Sequence, residues 1–161
     1  MNRVSNASAA ARAALVAVAV VLLDQITKAI VRGDVAVGTG NRVTSFFAIV
    51  HVRNDGVAFS AFGGQPWVVV CLIVVALAAL LWYFSRHADK PLVWLATGLL
   101  VGGALGNIVD RVAAGSVTDF LKISHWPAFN VADIAINVGV VVLVIALLRE
   151  DRADGDPEPA R

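Results

Sequence analysis

The sequence predicts an all-α membrane protein, a four-transmembrane-helix bundle with a small β-element lying on one membrane face. Three observations predict it. Hydrophobic residues make up 58% of the 161 positions and charged residues only 16%, where a soluble domain averages ~45–50% apolar and ~25% charged. Mean hydropathy is +0.77. The charges are clustered and leave four apolar tracts near the ~20 residues that a helix needs to cross the hydrocarbon core. One long segment between the first two tracts, 32–65, is rich instead in β-branched and aromatic residues and turn formers.

The first span covers residues 13–31. Arg3 and Arg12 precede an apolar run, as in a secretory signal. That run leads into Asp24-Gln25-Ile26-Thr27-Lys28 rather than a small-residue cleavage site, and further spans follow, so it reads as an uncleaved helix. Residues 43–52 read as a strand, Asn54-Asp55-Gly56 as a turn and 57–62 as a returning strand, together a hairpin over 43–62. The second span, 66–84, contains no charge. The third, 91–109, carries Gly98, Gly102, Gly103 and Gly106. Pro66 and Pro91 stand at helix starts, where a missing N–H costs nothing. A loop over 113–128 leads to the fourth span, 131–148. Residues 1–149 form one membrane domain, and the Asp-, Pro- and Arg-containing tail 150–161 is expected to be disordered.

Some function classes drop out at this stage. A net charge of +1 gives no electrostatic basis for binding nucleic acid. Cys71, the single cysteine, lies in an apolar tract, so no internal disulfide forms and no Cys/His spacing suggests a metal. His51, His87 and His125 are scattered. Four spans put both termini on one side, but the thirteen Lys and Arg then divide seven to six, which does not fix the orientation.

The polar residues within the spans carry the chemistry, because an ionisable group at a helix centre costs about 2.5–3.5 kcal/mol on insertion scales. Asp24 and Lys28 end span one, Asn107, Asp110 and Arg111 end span three, and Asn130, Asp133 and Asn137 open span four. Antiparallel packing brings all three groups to the face that carries the hairpin. Positions 107/110/111 and 130/133/137 each form one helical stripe. Asp119 hangs nearby in the 113–128 loop. Two carboxyls close together cannot both ionise easily, so one keeps its proton and the pair supplies an acid and a base without a metal. Structural readings stand beside this one. Asp24–Lys28 can be a self-neutralising i, i+4 pair, Asp110–Arg111 a buried ion pair, and Asp133 a first-turn acid favoured by the helix dipole. A proton-coupled carrier or a non-catalytic scaffold also stays open on the residues alone.

Five motifs narrow the choice: Asp24-Gln25-Ile26-Thr27-Lys28; Arg53-Asn54-Asp55-Gly56-Val57-Ala58-Phe59-Ser60; the stretch from Gly102-Gly103 to Asn107-Ile108-Val109-Asp110-Arg111; Val117-Thr118-Asp119-Phe120; and Phe129-Asn130-Val131-Ala132-Asp133. In this order, within a four-span chain, they resemble the lipoprotein signal peptidase (signal peptidase II) family along nearly the whole length. The resemblance implies an aspartic endopeptidase of the bacterial cell membrane. Its catalytic pair would be Asp119 and Asp133, and it would use no cofactor. Asp24, Lys28, Asn54, Gly56, Asn107, Asp110, Arg111, Asn130 and Asn137 would support the acids or contact substrate. The implied substrate is a diacylglyceryl-modified prolipoprotein, cut just before the lipidated cysteine. The expected partners are such prolipoproteins and membrane lipids, with the protein active as a monomer. The β-element and active site would be extracytoplasmic and both termini cytoplasmic. The family's motif often has Val where Thr118 stands here, a mild departure.

Overall fold

A computed structural model of the chain describes residues 3–56, 66–88 and 90–154. Among these, four helices are long and apolar enough to cross a membrane. They are α1 (Arg3–Asp34), α2 (Pro66–His87), α3 (Val93–Ala114) and α4 (Val131–Asp154). A three-stranded antiparallel sheet of β1 (Gly40–Arg42), β2 (Phe47–Asn54) and β3 (Val117–Ile123), in that order, completes the fold.

The helices outrun the apolar tracts. α1 begins at Arg3, ten residues before residue 13, because the intervening stretch carries four alanines, the strongest helix former, and neither Gly nor Pro. α3 starts two residues later than expected, after Leu92, whose φ of 67° interrupts the helical path behind Pro91. It ends at Gly115, whose φ of 74° lets its N–H reach the carbonyl of Arg111 as a left-handed cap. α4 continues through Asp154, so the first residues of the segment expected to be disordered are helical. Residues 155–161 lie outside the described residues.

α3 is the hub of the bundle, packed against α1 on one side and α4 on the other. Two adjacent glycines allow both approaches. A Cβ on Gly102 would stand 2.8 Å from the Ala17 carbonyl oxygen of α1, and one on Gly103 2.5 Å from the Ala132 carbonyl oxygen of α4. Small residues at a membrane helix interface let backbones come this close.

The β-element differs from the expected hairpin. Residues 57–62, its returning strand, lie outside the described residues. The partners of β2 are β1 and β3, and residues 43–46 form the turn between β1 and β2. The expected 113–128 loop holds β3. Val117, Thr118, Phe120 and Ile123 favour the extended state, and pairing with β2 supplies the hydrogen bonds that a loop would lack. After a turn at 124–126, Phe129 folds back on β3. The N–H groups of Phe120 and Leu121 donate to its carbonyl, and its own N–H donates to the Leu121 carbonyl. This return delivers Asn130 and the start of α4 beside Asp119. His51, buried on β2, ties the sheet to the end of α1 through Nδ1, which donates to the Val35 carbonyl at 2.7 Å.

Candidate active site

Asp119 leaves the middle of β3 and is 2% exposed. Asn54, the last residue of β2, donates from Nδ2 to Asp119 Oδ2 at 2.8 Å. Two local features aim that amide. Asn54 Oδ1 accepts the N–H of Gly56 at 2.9 Å, an Asx turn that fixes the side chain. Gly56 has φ 78°, a left-handed conformation that suits glycine. The second feature is a β-bulge. Ile49 pairs with Leu121 but Val52 pairs with Asp119, so β2 has one residue more than β3 between those pairs. A one-residue shift exchanges the two faces of a strand. The bulge puts Asn54 on the face of Asp119; an unbroken ladder would put it on the face of Thr118.

Asp133 lies in the first turn of α4, and Asn130 is its N-cap. Asn130 Oδ1 accepts the N–H of Asp133 at 3.0 Å, and Asp133 Oδ2 accepts the N–H of Asn130 at 3.1 Å, a reciprocal capping box. The same Asn130 donates from Nδ2 to Asp119 Oδ1 at 2.7 Å and to Asn107 Oδ1 at 3.1 Å. Asn107 on α3 in turn donates from Nδ2 to Asp133 Oδ1 at 2.9 Å. One fully buried asparagine thus joins both acids, and each of their four carboxyl oxygens accepts an N–H. Burial pushes the Asp119 carboxyl up to about 6; the amide donation from Asn54 opposes the rise and the nearby Asp133 charge adds to it.

Beneath the acids lies a layer of buried charge. Lys28 is 0% exposed, and its ammonium donates to Asp24 Oδ2 at 2.8 Å, Asn107 Oδ1 at 3.0 Å and Asp110 Oδ2 at 3.2 Å. Its three protons therefore have three acceptors. Asp24 Oδ1 accepts the N–H of Ala132 at 2.9 Å, so α1 caps the start of α4. Asp110 Oδ2 also accepts the N–H of Thr118 at 2.9 Å, which anchors β3 to α3.

Asp110 and Arg111, read together as a possible ion pair, do not pair. Adjacent helical residues point about 100° apart. Asp110 turns toward α1, where Lys28 and Arg32 (3.4 Å) are its cations. The Arg111 guanidinium donates to the Asn107 carbonyl at 3.3 Å and lines a cavity of about 440 Å³ with Asn107 and Asp133. The remaining walls are apolar residues of α2, α3 and α4, among them Ile73, Leu77, Leu100 and Ile136. Asn137 stays off the cluster. It is exposed on α4, and its amide donates to the Asp133 carbonyl of its own helix at 2.9 Å.

Sequence reasoning missed three contributors. Gln25 donates from Nε2 to Asp24 Oδ2, the Gly106 carbonyl and Asp110 Oδ1, at 3.0–3.2 Å. Arg32 bridges Asp110 and the Thr118 hydroxyl at 3.4 and 3.3 Å. Arg53 spans the Ser116 hydroxyl and the Ala114 carbonyl, both at 3.0 Å, and so ties β2 to the end of α3. For Arg32 a signal was present, since 24, 28 and 32 follow i, i+4, i+8 along one helix face.

Comparison with known proteins agrees with this architecture. A family model described as signal peptidase (SPase) II matches residues 16–149. A lipoprotein signal peptidase of Paraburkholderia phytofirmans is 46% identical over 145 residues, covering 85% of this chain and 84% of that protein. One from Dehalococcoides mccartyi is 36% identical over 141 residues, covering 84% and 88%. Two bacterial membrane enzymes solved by the in meso method superpose with TM-scores of 0.78 and 0.81. They are 35% and 33% identical, and the matches cover 84% and 92% of this chain and 92% and 94% of theirs. With its four membrane-length helices the chain is a bacterial multi-pass membrane protein. By a family match over most of its length and relatives of this identity and coverage, it belongs to the signal peptidase II family.

Proposed function

We propose that the chain is a membrane aspartyl endopeptidase that removes signal peptides from diacylglyceryl-modified prolipoproteins just before the lipidated cysteine, with Asp119 and Asp133 as its catalytic pair. The observation that carries the assignment is Asn130, whose side chain and backbone hold one oxygen of each acid. Two carboxyls tied this closely share a proton in the resting enzyme, and the burial that raises Asp119 favours it as the holder. The ionised member draws a proton from water, whose oxygen attacks the scissile carbonyl. The protonated member donates a hydrogen bond to the developing oxyanion, and a proton then passes to the departing amine of the cysteine. Asn54, Asn107 and Asn130 hold the acids. Arg111 faces the cavity beside Asp133 and is suited to a substrate carbonyl.

The apolar walls of that cavity suit a signal peptide or diacylglyceryl chain entering from the lipid. The site residues described come from a single chain, which supports activity as a monomer. The active site and sheet are read as extracytoplasmic and both termini as cytoplasmic, with the even number of spans supporting termini on one side.

The test is cleavage of a purified lipidated prolipoprotein by wild type, Asp119→Asn and Asp133→Asn, with thermal unfolding alongside. Each variant is expected to lose at least about 10²-fold in rate, the scale of one general acid–base contribution, while still folding. Activity within a few-fold of wild type in either variant sinks the assignment.

A further inference from the structure

Thr97 lies one turn inside α3, at the end of the bundle opposite the acids; the ten residues from there to Asn107 correspond to about 15 Å of helix. It is 2% exposed, and among the described residues its hydroxyl has no hydrogen-bond partner. A threonine within a helix usually gives its hydroxyl to a carbonyl one turn back. Thr27 does so, donating to Leu23 and Asp24 carbonyls at 2.8 and 2.9 Å. Thr97 instead lines a second cavity, of about 250 Å³, between α1, α2 and α3. The rest of that lining is apolar, with Ala10, Ala14 and Ala17 of α1, Phe84 of α2 and Val101 of α3 among it. At the same end Arg12 lies over the Trp94 ring at 5.1 Å and Arg86 over the Trp82 ring at 5.7 Å. Such cation–aromatic pairs belong at the headgroup level of a bilayer.

We propose that this cavity is a binding site for a diester glycerophospholipid with an anionic headgroup. An ester carbonyl accepts the Thr97 hydroxyl, one acyl chain runs along the alanine-lined wall, and the phosphate meets Arg12. The three features call for three chemistries, an acceptor, a hydrocarbon and an anion, and this lipid class carries all of them in that order along its length. A water molecule answers only the first and a hydrocarbon chain only the second. The site lies on α1 and α3, the pair that also carries Asp24, Lys28 and Asn107, so its occupant bears on the helix contact beneath the acids.

The experiment uses delipidated full-length protein in detergent. A diester phosphatidylglycerol and its diether analogue, identical in headgroup and chains but lacking the carbonyls, are titrated onto wild type and Thr97→Val. Retained lipid is counted by native mass spectrometry and thermal unfolding is followed in parallel. Wild type is expected to bind the diester about five- to tenfold more tightly, the worth of one hydrogen bond. Thr97→Val keeps the side-chain shape, and it is expected to bind both lipids equally, at the diether level. Equal binding of the two lipids by wild type overturns the proposal, and so does a diester preference that survives in Thr97→Val. Failure of wild type to retain either lipid overturns it as well. Because wild type alone decides the ester–ether comparison, the result does not depend on how the variant folds.

Discussion

Replacing Lys28 with methionine tests whether the buried charge layer holds the bundle together. The ammonium is fully buried and shared by Asp24, Asn107 and Asp110 at 2.8–3.2 Å. Methionine keeps much of the stem and removes the charge, which leaves two buried carboxylates with Arg32, 3.4 Å from Asp110 and itself 39% exposed, as their remaining ion-pair partner among the described residues. Removing one partner of a buried pair costs about 3–5 kcal/mol, because the remaining charge is left uncompensated. For a chain of this size that corresponds to a fall in Tm of roughly 10 °C. The assay is thermal unfolding in one detergent of wild type, Lys28→Met, Asp110→Asn and the double variant. If stranded charge is the cause, the double variant is expected to melt above Lys28→Met, since one of the two orphaned carboxylates is gone. A Lys28→Met protein that melts within about 2 °C of wild type, or a double variant whose loss equals the sum of the singles, refutes the reasoning.

Three further outcomes follow from the geometry. Folding raises the Asp119 carboxyl from 3.8 to about 6, so the folded state holds its proton more tightly. That contribution to stability is fully present below about pH 4 and is lost as pH rises through about 6, on the order of 1–3 kcal/mol; the Tm difference between wild type and Asp119→Asn should therefore drift across that window and stay flat above it. Gly106→Ala is expected to lower Tm and activity together, because its Cβ would stand 2.7 Å from Asp24 Oδ2; Gly33→Ala on the same kind of assay should be neutral or stabilising by about 0.5–1 kcal/mol, since nothing lies within 4 Å of its Cβ. Arg111→Ala should melt near wild type yet lose about tenfold or more in kcat/KM, because the side chain borders the cavity and among the described residues gives the fold one hydrogen bond, to Asn107; a large fall in Tm would return it to a structural role.

The four spans were legible because hydropathy acts along the chain and each tract is near membrane length. The gathering of acids at one face was legible too, since antiparallel spans carry their polar ends to a common side. What the sequence hid depends on pairing between distant segments. Gly40-Asn41-Arg42 has no strand preference, and β2 makes it β1. Residues 117–123 carry β-branched residues, yet they read as a loop because their partner could not be identified. Asn54-Asp55-Gly56 carries a turn signal, and its observed use is to lock an amide onto Asp119. Asp110 and Arg111 looked paired by adjacency, whereas helical rotation sends them to different neighbours. Asn137 shared a stripe with Asn130 and Asp133, but seven residues up the helix it is beyond the reach of the cluster.

The extra residue in β2 between Ile49 and Val52 makes the site sensitive to the parity of that strand. Removing one residue there would abolish the bulge and leave a single residue opposite Phe120, so Val52 would still meet Asp119 and Asn54 would stay on its face of the sheet. Removing two would set Asn54 opposite Thr118 and turn its amide to the other side of the sheet, away from Asp119. Length changes in this segment are thus expected to act by parity, with a single deletion leaving Asn54's hold on Asp119 in place and a double deletion breaking it.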